Sequence, residues 1–267
     1  MSESRSATSG GALTQDAQHV RARIDKDMRH LMGRSELSPR QKTAVACRIL
    51  AREGHAQTLA GQVTLRADNE TFWTTNFSGG LKEATAGSLV RFDTDMNVVE
   101  GSGMPNPAVR FHLWIYAQRP DVFSIVHTHP PYASALSMIG EPLRVAHMDT
   151  TMFHEDCAYL PQWPGVPLAN EEGRIIAGAL GAKSSILLAH HGLLTVGESI
   201  EKATYLAVAF ESAAKLQMLA RSAGDIKAIP APLAAEAHEF MTKPAIVNAT
   251  FDYWARQVLQ EYPPILD

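Results

Sequence analysis

The sequence predicts an α/β sandwich, a β-sheet covered by helices on both faces. Two observations lead to this prediction. Short β-rich runs separated by Gly, Asn and Asp lie in the middle of the chain, and this spacing is typical of an antiparallel meander rather than of βαβ units. Segments with helical periodicity lie before, between and after these runs, so helices are available for both faces of the sheet.

Composition narrows the class of protein. Of the 267 residues, 45% are apolar and 19% are charged, which suffices for a sizeable core without disulfides or a structural metal. A formal charge of -4 without a long Lys or Arg run argues against a nucleic-acid or membrane surface. Neither a spanning segment nor a signal peptide is recognisable, so we expect a cytoplasmic protein with small-molecule partners. Cys47 and Cys157 are expected to be buried thiols.

The first elements are two helices and four strands. Residues 1–14 are rich in Ser, Gly and Ala and are predicted to be a flexible tail before a single domain over residues 15–267. One helix is predicted from Asp16 to about Gly33, and the next begins at Ser35 or Ser38 and ends at Gly54. The predicted strands are QVTLRA, TFWTT, SLVRFD and VVEG, at residues 62–67, 71–75, 88–93 and 98–101.

The second half alternates helices and strands. A helix over NPAVRFHLWIYAQRP ends at Pro120 and is followed by the strand VFSIVHTHP. SALSMIG and GRIIAGALG are predicted to be short helices, and SSILLAHHGLLTVG a strand, a turn and a strand. A long helix is predicted from its Ser199 cap to Gly224. A Pro-rich segment, residues 228–240, then leads into a final helical extension near ATFDYWARQVLQ.

The segment IVHTHPPY, residues 125–132, is the first candidate for chemistry. On a strand, residues i and i+2 point to the same face about 6.5 to 7 Å apart, so His127 and His129 are directed to one side. Two imidazoles at that spacing fit chelation of a divalent cation. An exposed strand face with two neutral histidines is the alternative, and a third ligand would decide against it.

A third ligand is available in LLAHHGLLTVG, where a buried strand ends in two histidines before Gly192. Successive residues face opposite ways, so only one of His190 and His191 can join the first pair, and local physics leaves both open. Three histidine ligands leave coordination positions for substrate or water, which is typical of a catalytic site.

With these motifs in order, the chain resembles the class II aldolase and adducin head-domain family. The resemblance covers residues from about Gln41 to Ala223, through GQVTLR, the RFH-to-His-x-His region, the His-His-Gly turn and the long helix. It implies a three-layer αβα sandwich with a central, mainly antiparallel sheet. It also implies that His127, His129 and His191 bind a divalent ion, that His190 orients its neighbour or reaches substrate, and that a homotetramer places its sites at subunit boundaries.

The chain departs from the family pattern where the family carries a catalytic glutamate and phosphate contacts. Ala108 aligns with the glutamate, and a methyl group takes no proton. Asn106 and Pro107 correspond to the two phosphate-binding serines, and proline has no backbone donor. The Gly-rich loop TTNFSGG remains a candidate to hold a carboxylate through backbone N–H groups, with Asn76 and Ser78 as substrate-binding residues. A plain hairpin turn is the alternative.

Acid or base candidates lie in HMDTTMFHEDCAYLPQWPGVP, which is too polar for a buried strand. Glu155 and Asp156 are candidates for proton transfer or for a fourth metal ligand, with Glu155 as the candidate catalytic residue, and a solvated acidic turn is the alternative. Asp149 is a candidate to orient a ligand imidazole. Near the C-terminus, Tyr253 and Trp254 are expected to pack in the core or a subunit interface, or to reach a neighbouring site.

These features predict a metal-dependent lyase that cleaves a carbon–carbon bond of a non-phosphorylated hydroxy, keto or aromatic carboxylic acid, by retro-aldol cleavage or decarboxylation. One divalent ion per subunit is expected, zinc first, with manganese, iron or cobalt as alternatives. An alternative is a non-haem Fe(II) oxygenase that performs oxidative decarboxylation of an aryl-pyruvate. The segment from NPAVRFH onward resembles members of the superfamily with this activity. A third is a non-catalytic, adducin-like interaction module.

Overall fold

The computed structural model describes residues 17–31, 36–166 and 170–267. The predicted flexible tail, residues 1–14, lies outside these ranges. Contacts between Cα atoms group residues 1–35 apart from residues 36–267, so helix α1 (Ala17–Leu31) is described by itself. The domain boundary at residue 15 stays a prediction. No helix within the described ranges is both long and apolar enough to cross a bilayer.

An eight-stranded sheet forms the middle layer. Its spatial order is β4-β3-β2-β1-β5-β8-β7-β6, and every neighbouring pair is antiparallel except β6 with β7. The predicted mainly antiparallel sheet is therefore confirmed. The strands are β1 Gln62–Arg66, β2 Thr71–Thr75, β3 Leu89–Asp93, β4 Val98–Glu100, β5 Ser124–Thr128, β6 Cys157–Leu160, β7 Ser185–Leu188 and β8 Gly192–Gly197.

Helices cover both faces of the sheet, as predicted for a three-layer sandwich. Among the described residues of this unit, the α-helices are α2 Pro39–Arg52, α3 Arg110–Gln118, α4 Pro131–Met138, α5 Asn170–Leu180, α6 Ile200–Ala223, α7 Ala231–Met241 and α8 Pro244–Glu261. One buried apolar cluster joins α2, α4, α6 and α8 to the sheet, and a second joins α3 and α5 to the opposite face. Successive side chains of β5 point to opposite faces of the sheet, so Val126 belongs to the first cluster and Ile125 to the second.

Local signals fix the helix ends near the core. Ser38 caps α2 by accepting the Gln41 N–H, and the Gln41 side chain accepts the Ser38 N–H in return. The chain then leaves α2 through Gly54, whose φ of +88° lies in the left-handed region that glycine adopts without strain. The structure thus selects Ser38 over Ser35 as the start of this helix.

Two elements differ from the sequence predictions. The Pro-rich segment contains helix α7, because Pro230 precedes the helix and Pro232 lies in its first turn, where no intrahelical N–H is needed. Strand β6 lies within the polar segment after Met148, where no strand was predicted. It is an edge strand in which only Ala158 is buried, so its sequence needs no apolar alternation.

Candidate metal centre

The end of β5 carries the first two histidines of the candidate site. His127 is buried and His129 is half-buried. The His127 Nδ1 atom lies 2.8 Å from the carbonyl oxygen of Leu193 on β8. Since a carbonyl can only accept a hydrogen bond, this contact places the proton on Nδ1 and leaves the Nε2 lone pair for a ligand. The β5–β8 pairing therefore orients the ring as a metal ligand.

The third histidine comes from the tight turn between β7 and β8. His190 has a φ of +58°, and its N–H donates to the Ser137 carbonyl. His191 donates its own N–H to the Leu188 carbonyl at 3.1 Å. This turn presents His191 to the two histidines on β5, whereas His190 stays exposed and outside the cluster.

The three imidazoles converge on one point. Their ligand nitrogens all lie within 4.8 Å of one another, and the Nε2 atoms of His127 and His129 are 2.9 Å apart. The ring centroids are separated by 4.6 to 4.8 Å. Tetrahedral ligands about 2.0 to 2.1 Å from an ion are separated by about 3.3 to 3.4 Å. The donor set therefore fits a divalent cation after this pair of nitrogens separates by about half an ångström.

Burial keeps these rings in the form that binds metal. Desolvation lowers the pKa of His127 well below its ordinary value and also lowers the pKa of His129. Desolvation, followed by the nearby His129, lowers the pKa of His191 to about 4. A metal ligand must be a neutral imidazole, so all three are ready to bind at neutral pH.

Several supporting contacts had no signal in the sequence. His55, buried at the end of α2, contacts the Thr128 hydroxyl through Nδ1 at 2.8 Å. On the opposite face, buried His112 contacts the Thr64 hydroxyl through Nδ1 at 2.9 Å. His55 lies in the loop after α2 and His112 lies on α3, and each contacts a threonine of the two paired strands β5 and β1. Only this three-dimensional pairing shows that both histidines lie near the candidate site.

Asn76 and Ser78 lie at the same end of the sheet as the histidines. They follow β2, which is two strand spacings, about 10 Å, from β5. Both residues line a cavity of about 250 Å³. The Asn76 side chain donates to the Ser102 carbonyl and accepts the Ser78 N–H, which builds the turn itself.

The backbone N–H groups of this loop, predicted to hold a carboxylate, are hydrogen-bonded within the protein. Phe77 donates its N–H to the Met104 carbonyl, and Gly79 donates to the Asn76 carbonyl. The Gly80 N–H donates to the Glu83 carboxylate, and the Ser78 N–H is held by Asn76. Because all four donors are satisfied internally, a carboxylate in this cavity has side-chain groups such as the Ser78 hydroxyl available to it.

The segment aligned with the family's glutamate and phosphate contacts has a structural role. The Asn106 side chain accepts the Ala108 N–H at 2.9 Å and caps the 3-10 helix Pro107–Val109. The Ala108 methyl packs against the cluster beneath α3. This segment therefore supplies a cap and apolar packing where the family pattern carries an ionisable group.

Glu155 is not brought to the histidines. It is exposed, with a φ of +54°, just before β6 begins, and neighbouring Asp156 accepts the Ser184 N–H just before β7 begins. His191 follows the other end of β7. Parallel pairing of β6 with β7 thus places Glu155 at the far end of the sheet from the cluster. The geometry within one chain gives it no part in the chemistry.

The remaining candidates occupy other surroundings. Asp149 lies 3.6 Å from the Nδ1 atom of His147 and does not contact a ligand imidazole. Trp254 packs against the first cluster and stacks on Tyr205 at 6.4 Å, which confirms the core-packing expectation. Tyr253 is 54% exposed on α8, so its reach towards a neighbouring subunit stays a prediction.

Comparisons with known proteins agree with this geometry. A decarboxylase, NovR, from Streptomyces niveus is 36% identical over 197 residues, covering 72% of this chain and 73% of that protein. A 4-hydroxy-3-prenylphenylpyruvate oxygenase/4-hydroxy-3-prenylbenzoate synthase from Streptomyces roseochromogenus subsp. oscitans is also 36% identical over 197 residues, covering 72% and 71%.

The fold is matched by a solved structure of L-fuculose 1-phosphate aldolase from Glaciozyma antarctica PI12. Its TM-score is 0.79 at 27% identity, covering 86% of this chain and 92% of that one. The family model described as Class II Aldolase and Adducin N-terminal domain matches residues 41–218, a span that contains β1 to β8 and the three histidines. The chain therefore belongs to the class II aldolase and adducin N-terminal domain family.

Proposed function

We propose that the protein is a divalent-metal-dependent carbon–carbon lyase, with decarboxylation of a non-phosphorylated carboxylic acid as its reaction. The convergence of three imidazole nitrogens within 4.8 Å carries the proposal. His127, His129 and His191 form the only such group of His, Cys, Asp or Glu among the described residues. A three-ligand set leaves room for substrate beside the ion.

The residues around the cluster support decarboxylation over the family's phosphosugar cleavage. When bound, a divalent cation would supply Lewis-acid stabilisation of the negative charge that develops as a carbon–carbon bond breaks. Ala108 takes no proton, and decarboxylation needs no base to start. Pro107 provides no donor for a phosphate. The Streptomyces relative named as a decarboxylase is consistent with this choice.

Substrate contacts are assigned to residues beside the cluster. The Ser78 hydroxyl lines the cavity of about 250 Å³ and is proposed to donate to a substrate oxygen, while Asn76 holds the turn in shape. His190 is exposed next to His191 and is proposed to reach the substrate from the turn. We further propose a homotetramer in which a neighbouring subunit completes each site, as the family resemblance implies.

Metal analysis tests the site. His129→Ala should abolish bound zinc, manganese, iron or cobalt and all activity while circular dichroism shows a folded protein. His190→Ala is the matched control, because its imidazole is adjacent in sequence but outside the cluster, and it should keep full metal occupancy. Full occupancy in His129→Ala, or a wild-type protein that no divalent ion loads, would falsify the metal assignment.

An oxygenase is the second candidate, favoured by the Streptomyces relative named as a phenylpyruvate oxygenase. Histidine-bound Fe(II) with open positions suits oxygen chemistry. Hydroxylated benzoates and aryl-pyruvates, assayed with and without oxygen, separate the two. Anaerobic release of carbon dioxide supports the lyase, and oxygen consumption coupled to product formation supports the oxygenase. A metal-loaded protein that transforms neither class of acid would contradict both.

A further inference from the structure

A buried carboxylate on α6 holds the first turn of α4. Glu211 is 9% exposed, and its two oxygens accept the N–H groups of Tyr132 and Ala133 at 2.9 and 2.8 Å. The first N–H groups of a helix have no intrahelical partner. Pro130, which precedes α4, makes no side-chain capping bond, so Glu211 supplies the cap from another helix.

The surroundings of Glu211 mark this as a specific contact. Its described ionic and hydrogen-bond partners are the two backbone N–H groups, with Lys215 acting only at longer range. A carboxylate that leaves water without an ion pair is costly unless hydrogen bonds replace its hydration. Placement at a helix N-terminus supplies both hydrogen bonds and a favourable dipole. Burial raises the pKa of Glu211, and the two N–H groups oppose that rise.

The held turn is attached directly to a candidate metal ligand. His129 is followed by Pro130 and Pro131, and α4 begins at Pro131. Proline rings restrict φ, so Pro130 and Pro131 form a stiff link. A displacement of α4 should therefore displace the His129 backbone by a similar amount. The opposite side of His129 is also confined, because a Cβ at Gly192 would lie 2.6 Å from His129 Cδ2.

We propose that Glu211 is a positioning residue for the metal centre, holding α4 so that His129 keeps its place beside His127 and His191. This inference rests on the metal site of the proposed function. Glu211 touches neither ligand nitrogens nor substrate cavity, so it acts through the backbone of residues 129–133. Residues that hydrogen-bond directly to a metal ligand change metal affinity by about 10- to 100-fold when substituted, so an effect near the lower end is expected for Glu211, which acts one contact further away.

Glu201 provides a matched control on the same helix. It is 8% exposed, and its carboxylate pairs with Lys42 of α2 at 2.6 Å, which makes it a buried α6 carboxylate with no link to β5 or α4. Glu201→Gln should therefore lower the free energy of unfolding without altering the metal centre. Any effect specific to Glu211→Gln then reports the α4 contact rather than general damage to α6.

The experiment titrates metal-free full-length protein with Co²⁺ and follows the visible ligand-field spectrum. Glu211→Gln should bind Co²⁺ about 10-fold or more weakly and change the shape of the spectrum. Glu201→Gln should match wild type in both respects. Glu211→Asp keeps both carboxylate oxygens, so its Co²⁺ affinity should lie between those of wild type and Glu211→Gln. This variant replaces Glu211→Gln in the test if the Gln variant does not fold. Wild-type affinity and spectrum in a folded Glu211→Gln protein would overturn the proposal.

A second readout separates this inference from the proposed function. In metal-free protein, the amide ¹H–¹⁵N signals of His129, Tyr132 and Ala133 should shift in Glu211→Gln and stay unchanged in Glu201→Gln. If wild type binds no Co²⁺, the proposed function fails, and these signals alone decide whether Glu211 places His129. Unchanged His129 signals in Glu211→Gln would then reject the positioning role.

Discussion

Backbone conformation at one residue separates two adjacent histidines. His190 occupies the left-handed region with φ of +58°, which is uncommon for a residue with a side chain. This turn sends His191 towards His129 and leaves its neighbour in solvent. Alternation along a strand predicts only that His190 and His191 point in different directions. It does not predict which of the two joins His127 and His129. The family resemblance selected His191, and the geometry agrees with it.

Gly192 is expected to be intolerant of substitution. In Gly192→Ala the added methyl would lie 2.6 Å from His129 Cδ2 and 2.6 Å from the Thr128 carbonyl oxygen, so the backbone must shift. We expect a loss of metal binding together with about 1 to 3 kcal/mol of stability, the usual cost of overpacking. Urea unfolding of the metal-free protein and metal analysis measure both. Wild-type values for the two quantities would contradict the packing argument.

Elements with strong local signals were predicted well, and elements defined by their neighbours were not. β1, β2 and β3 are short runs rich in β-branched and aromatic residues between turn-forming segments, and α6 has a clear cap at Ser199. β6 has no comparable pattern, because an edge strand beside β7 buries little of its surface. Glu155 was expected beside the histidines and lies elsewhere within the chain for the same reason, since its position depends on which strand β6 pairs with.

Gly178 offers a stabilising change within one helix. It lies on the exposed side of α5, and a Cβ there would have no atom within 4 Å. Glycine inside a helix costs about 0.5 to 1 kcal/mol relative to alanine, so Gly178→Ala should raise the free energy of unfolding by that amount. Urea unfolding measures the change, and metal occupancy should stay at the wild-type level. A decrease in stability would show that α5 is not helical at this position.

At the scale of the molecule, the order of strands assembles the site. β1, β5 and β8 are neighbours, so Gln62, His127 and Leu194 form one row across the sheet. The ordered motifs predicted this fold through a family resemblance, whereas local patterns gave the strands but not their pairing. Asn76 shows the limit of local sequence patterns. They located its loop, but the hydrogen bonds that occupy the loop's donors follow from contacts with residues 102–105.

Stability should fall in mild acid because buried histidines are neutral in the fold. Burial lowers the pKa of His55 and of His112 from 6.5 to about 3. The unfolded chain takes up these protons below pH 6.5 and the folded chain only near pH 3, so stability is fully present above pH 6.5. Below pH 6.5, each of these two histidines should lower the free energy of unfolding by about 1.4 kcal/mol per pH unit.

Urea unfolding of the metal-free protein across this window measures the slope. His112→Gln should reduce the slope of the free energy of unfolding against pH by about 1.4 kcal/mol per pH unit, the contribution of one proton, because one buried titrating group is removed. A free energy of unfolding that stays constant between neutral pH and mild acid would show that water reaches both rings in the folded state.

The proposed ligands lie at the end of β5 and in the turn before β8, which are adjacent in space but distant along the polypeptide. During translation, His127 and His129 leave the ribosome well before residue 191 is synthesised. A nascent chain halted before that point carries two of the three imidazoles and lacks the strand whose carbonyl orients His127. The proposed metal site would therefore be completed only late in biosynthesis, and ribosome-bound fragments that end before β8 should not retain a metal ion.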